Sequence, residues 1–167
     1  MNFLIDTCVV SEFVRLKPSP RVLAWFGDVP EARIYLSVIT LGEIRKGILR
    51  LSDVTKARRL QAWLDNDLRS RFHGRLLSVD AEVAMEWGAV CAEAERAGTP
   101  RPVIDAMLAA TARVHGLTLV TRNTADFEHV RVDLFNPWTD GFRGHRGQPW
   151  TSRRSSLPVC GKVRLVR

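Results

Sequence analysis

Cysteine is scarce in this chain. Its three residues, Cys8, Cys91 and Cys160, are odd in number and form no CxxC pair. A disulfide framework is therefore not what holds the fold, and reduced thiols of a cytoplasmic protein are the expectation. Histidine is sparse too: His73, His115, His129 and His145 fall into neither an HExxH nor a His–Cys spacing, which argues against a zinc site. Long apolar runs are missing. Stretches such as LSVITLG at 36–42 fall far short of the roughly 20 residues needed to cross a bilayer. The opening MNFLID has an acid at position 6 and no basic lead-in, so neither a secretion signal nor a membrane partner is expected.

At 167 residues the chain fits one domain with a continuous core, and 46% hydrophobic with 26% charged residues is an ordinary globular composition. The net charge of +7 is unevenly placed. Seven of the 25 basic residues but only one of the 18 acids, Asp140, lie beyond Trp138. The body, 1–138, is thus nearly neutral, and the segment 139–167, rich in Gly, Arg, Ser and Pro, reads as a basic, flexible extension. Such a tail can bind phosphate backbones without sequence preference, or can simply be solvated.

Within the body, apolar runs at 2–5, 33–37, 76–79, 117–121 and 131–135 read as strands. Between them lie helical patterns at 7–16, 21–27, 38–51, 54–71, about 81–97 and 103–115. Asp80 caps the fifth of these, and Gly98 and Gly116 close the last two. Alternation of this kind predicts an α/β fold with a central, mostly parallel sheet of about five strands covered on both faces.

Four acids stand out. Sites in open parallel sheets form beyond the carboxyl ends of strands, where Asp6 follows FLI and Asp126 follows LVT after an RNTA turn. Singly, Asp6 also fits a helix N-cap and Asp126 a turn. Asp105 opens the helix PVIDAMLAATA, with Leu108, Ala109 and Ala112 on its own face, and a carboxylate beside aliphatics is costly without a partner. Glu43 sits in a helix beside Gly42 and Gly47. Close approach of another backbone would explain those two glycines, and pairing with Lys46 would leave Glu43 solvated. Together the four acids would repel one another unless a cation lay among them, and oxygen-only ligands select a hard ion, Mg²⁺ or Mn²⁺. Such a site suits phosphodiester hydrolysis.

The segments FLIDTCVVSE, SVITLGEIRKGI, PVIDAMLAATARVHGLTLVTRNTADF and LFNPW together resemble a PIN domain. Within that superfamily they are similar to the VapC type of bacterial toxin ribonuclease, near its FitB-like branch, over roughly residues 1–138. The resemblance implies an α/β/α sandwich and a Mg²⁺- or Mn²⁺-dependent endoribonuclease of a type II toxin–antitoxin pair. It implies Asp6, Asp105 and Asp126 as metal ligands, Glu43 as the further catalytic acid, and Thr7, Thr121 and Asn123 as supporting residues. The implied partners are RNA, a second copy of the chain and a VapB-like antitoxin, whose C-terminal segment enters the active-site groove and whose N-terminal domain binds DNA. The extension after Trp138 departs from the pattern.

Other classes fit worse. A haloacid-dehalogenase phosphatase needs a second Asp at position 8, which is Cys; a receiver domain needs a lysine after its last strand, which LFNPW lacks; and a dinucleotide fold needs glycines where DTCVVS has none. A catalytically inactive PIN module that only binds RNA or antitoxin is the alternative from another functional class.

Overall fold

A computed structural model of the chain describes residues 1–127, 129–139 and 141–144. The five apolar runs become β1 (Phe3–Ile5), β2 (Ile34–Ser37), β3 (Leu76–Leu77), β4 (Thr118–Val120) and β5 (Leu134–Asn136), and β6 (Gly141–Arg143) follows. Their order across the sheet is β3-β2-β1-β4-β5-β6. The first five strands run parallel, with Leu4 opposite Tyr35 on one side and Leu119 on the other, and β6 pairs antiparallel with β5. The helices are α1 (Thr7–Val10), α2 (Pro20–Asp28), α3 (Val38–Leu49), α4 (Val54–Ala62), α5 (Arg69–Arg71), α6 (Ala81–Arg96) and α7 (Val103–Val114). Among the described residues no helix is long and apolar enough to cross a membrane.

Side chains alternate across each strand, and this divides the core in two. Phe3 and Ile5 of β1 join Val9, Phe13, Trp25, Phe26, Trp63 and Phe135 on one face. Leu4, between them, joins Val83, Val90, Leu108, Ala109, Leu119 and Leu134 on the other, where α6 and α7 lie. Both faces being covered, the short strands can be apolar throughout, and β1 and β4 are buried at every position. The chain leaves β1 toward β2 on one side and meets β4 on the other. That reversal opens a crevice at the carboxyl ends of β1 and β4, where a ligand site is expected.

Several boundaries differ from the sequence reading. The helix expected over 7–16 is α1 followed by a tighter 3₁₀ turn, Ser11–Val14, after which Arg15 is extended ahead of Pro18. The helix expected over 54–71 widens into a π-helical segment at Trp63–Leu68, which keeps Trp63, Leu64 and Leu68 all buried. The strand expected at 131–135 is shifted to Leu134–Asn136, because parallel pairing sets Leu134 opposite Leu119. The sheet also continues past Trp138: β6 begins at Gly141, inside the segment assigned to the extension. Residues 145–167, including most of that expected extension, lie outside the described residues. Gly98 and Gly116 do end their helices with φ of +69° and +61°.

Gly42 and Gly47 overturn an expectation. No backbone approaches α3 at either position: a β-carbon on either glycine would meet nothing within 4 Å. Both lie on the exposed side of the helix. Since glycine in a helix interior costs about 0.5–1 kcal/mol relative to alanine, Gly47→Ala should stabilise the protein by roughly that amount in urea unfolding. A loss of stability there would show that α3 is packed against something in solution.

Candidate active site

Asp6 is the residue at which β1 turns into α1. Its backbone stays extended (φ −79°, ψ 163°) and caps the helix, with Oδ1 accepting the Thr7 amide at 2.5 Å. Its own amide donates to the Val120 carbonyl at 3.0 Å, carrying the β1–β4 ladder one residue beyond the strands. The cap and site roles of Asp6 are therefore compatible, because capping uses one oxygen. The other, Oδ2, accepts from the Thr121 hydroxyl at 2.8 Å and the Cys8 thiol at 3.3 Å. Three donors hold a carboxylate whose rotamer would otherwise be free.

Thr121 is fully buried one residue beyond β4, and its hydroxyl also accepts the Asn123 amide at 3.1 Å. Asn123 takes part through its main chain, since its carbonyl in turn accepts the Asp126 amide at 3.1 Å and starts the 3₁₀ turn Thr124–Phe127. Phe127 roots that turn in the second core cluster, which leaves Asp126 exposed at the rim. Glu43 reaches the site from α3, where Oε2 accepts the Thr7 hydroxyl at 3.0 Å. Thr7 thus links two of the acids, its amide to Asp6 and its hydroxyl to Glu43.

Asp105 stands in the first turn of α7, with Ala106, Leu108, Ala109 and Ala112 of the same helix buried. Its carboxyl is pushed up from 3.8 to about 6, first by burial and then by the charges of Asp126, Asp6 and Glu43, with Arg101 pulling the other way. Asp6, Glu43 and Asp126 therefore all act on Asp105 at the carboxyl edge of the sheet. Arg101 also donates to the Ala125 carbonyl at 3.4 Å, bracing the Asp126 turn.

Cys8 is a participant that sequence reading treated only as a reduced thiol. Burial and the Asp6 charge push its pKa up to about 12, so it remains a donor to Asp6 at neutral pH. It accepts the Arg122 amide at 3.4 Å and thereby joins the ends of β1 and β4. Its position two residues after Asp6, in the first turn of α1, was the available signal. Glu12, also unremarked, is 1% exposed yet lies apart from the cluster; it binds Arg15 and the Ser19 amide, each at 2.6 Å, and pins the Pro18–Pro20 break.

The donor set suits a hard cation: carboxylate oxygens with no histidine or thiolate among them, three of which raise the proton affinity of Asp105 after its burial. Among the described residues no three His, Cys, Asp or Glu side chains stand close enough to hold a metal as they are. Asp126, at the exposed 3₁₀ turn, is the most accessible of the four acids.

The raised pKa has a consequence for stability. The folded value of Asp105 exceeds the unfolded one, so the native state holds the extra proton between about pH 4 and 6, and stability is lost as pH rises through that window. With chelator present at pH 7.5, Asp105→Asn should raise the unfolding free energy by roughly 1 kcal/mol, a figure discounted for partial exposure. The gain should vanish as pH falls toward 4. A variant less stable than the parent at pH 7.5 would contradict the like-charge account.

A PIN-domain family model matches residues 3–133. Toxin FitB of Neisseria gonorrhoeae is 37% identical over 137 residues, covering 82% of this chain and 99% of that protein. The VapC ribonuclease Y4jK of Sinorhizobium fredii is 32% identical over 135 residues, covering 81% and 96%. Among solved structures, FitAB bound to an IR36 DNA fragment superposes with a TM-score of 0.76 at 35% identity, covering 81% of this chain and 95% of that one.

Proposed function

The chain belongs to the PIN-domain family, and within it to the VapC-type toxins of type II toxin–antitoxin systems, and we propose that it is a divalent-metal-dependent endoribonuclease hydrolysing RNA phosphodiester bonds. The observation that carries this reading is the electrostatic coupling of Asp6, Glu43 and Asp126 to Asp105 at one sheet edge. Asp6, Asp105 and Asp126 would hold Mg²⁺ or Mn²⁺. A bound divalent ion supplies an acidified water and neutralises charge on the scissile phosphate.

The chain's own residues supply orientation and proton acceptance. Three donors fix the Asp6 carboxylate before any ligand arrives, which lowers the ordering cost at the reacting centre. Thr7 engages Oε2 of Glu43 and leaves Oε1 as an acceptor for a proton of the attacking water. Asp105 must be ionised to bind a cation, so metal affinity should rise with pH through about 6.

In the cell the toxin would be a homodimer silenced by a VapB-like antitoxin. FitAB has been solved bound to an IR36 DNA fragment, which supports this reading; in this chain's complex the antitoxin would carry the DNA contact. The part of the basic extension beyond β6 would lie outside the nuclease domain.

Purified protein freed of antitoxin should cut structured RNA with Mg²⁺ or Mn²⁺. Asp6→Asn should lower the rate at least ~100-fold, and chelator should abolish cleavage. Induced without antitoxin, the chain should arrest growth, and Asp105→Asn should relieve the arrest. Equal cleavage by parent and Asp6→Asn, or arrest that persists in Asp105→Asn, would favour a non-catalytic binding module.

A further inference from the structure

Arg122 follows Thr121 directly, and its guanidinium lies over the Trp138 ring at 5.6 Å from the centroid. Both partners are held by their main chains. Asn136, buried at the end of β5, donates from Nδ2 to the Arg122 carbonyl at 3.1 Å and accepts the Trp138 amide on Oδ1 at 2.9 Å. The Cys8 thiol takes the Arg122 amide, and Arg21 donates to the Trp138 carbonyl at 3.0 Å. Trp138 packs on the first core cluster, so the ring is a fixed platform. Arg122 itself is exposed, and among the described residues no carboxylate pairs with its guanidinium.

A buried asparagine thus ties together the main chains that carry an exposed cation and the aromatic ring beneath it, one residue from the threonine that fixes Asp6. The N–H fork of a stacked guanidinium is pre-oriented and loses little entropy on binding an oxyanion. The stack also stands at the edge of a patch that is itself acidic, where a polyanion needs a positive contact beside the reacting phosphate. We propose that Arg122, stacked on Trp138, binds a backbone phosphate of the RNA strand flanking the scissile bond. The proposal rests on the ribonuclease reading. It makes Arg122 a substrate-positioning residue that touches no reacting atom. The competing role, a cover for the Trp138 ring, needs the aliphatic stem of the side chain and no charge.

Arg122→Met keeps the cover and removes the charge, and Arg122→Lys keeps the charge without the guanidinium fork. The test uses the full chain carrying Asp105→Asn and a fluorescein-labelled single-stranded RNA, with anisotropy read across a range of salt concentrations. Arg122→Met should melt with the parent yet bind RNA about five- to tenfold more weakly, with the salt slope reduced by roughly 0.7. Arg122→Lys should retain the slope and lose part of the affinity. With Asp105 intact, Arg122→Met should raise KM and leave kcat within about twofold. Parental RNA affinity and slope in Arg122→Met, or a defect confined to its melting temperature, overturns the phosphate contact while leaving the ribonuclease reading in place. A parent chain that neither binds nor cleaves RNA overturns both.

Discussion

At the crevice between β1 and β4 the Asp6 carboxylate receives hydrogen bonds from the Thr7 amide, the Thr121 hydroxyl and the Cys8 thiol. Two come from the first turn of α1, where the Cys8 side chain also holds the Arg122 amide, and one from the end of β4. Such a carboxylate is pinned in one rotamer, and it pins in turn the two strand ends that meet there. Thr7 extends the restraint to Glu43 on α3, and Thr121 extends it through Asn123 to the Asp126 turn. The remaining acid, Asp105, makes contact mainly through its charge.

This arrangement stores unfavourable electrostatics. Burial first, and then the three neighbouring carboxylates of Asp126, Asp6 and Glu43, hold the Asp105 carboxyl at a raised pKa, and Arg101 offsets only part of the effect. A fold tolerates such a cost where function requires it and the surrounding packing supplies stability elsewhere. Here the supply is two apolar clusters, one on each face of a sheet whose central strand, β1, has no exposed position. One residue beside the four acids, Arg122, carries the opposite charge. Arg122 on Trp138 sits next to the acidic edge, so local charge placement matters more for a polyanionic substrate than the net +7 of the chain.

The strand–helix alternation and the parallel sheet were legible because the apolar runs are short and sharply bounded. Helix ends were legible where a residue has a single local job: Asp80 accepts the Val83 amide, and Gly98 and Gly116 take positive φ. The ends of β5 and the addition of β6 were not legible, since register depends on the neighbouring strand rather than on the run itself. The same limit applies to the π-helical segment at Trp63–Leu68, which satisfies burial rather than local propensity. At the site, Asp105 was conspicuous for its apolar helix face. Glu43 was singled out partly for its neighbouring glycines, and that reason failed: the glycines face open space, whereas what ties Glu43 to the site is the Thr7 hydroxyl. Cys8 offered a local signal, two residues after Asp6, but its link to Arg122 and the Arg122–Trp138 contact join residues apart in sequence and were not legible.

The mutual proximity of the four acids is best tested by the titration of Asp105 itself, followed by carbon NMR of its carboxyl in chelator-treated protein. The account predicts a pKa of about 6 in the parent chain, falling toward the ordinary range when Asp126 or Asp6 is replaced by asparagine. An Asp105 that titrates near 4 in the parent, or whose value ignores both substitutions, would contradict it.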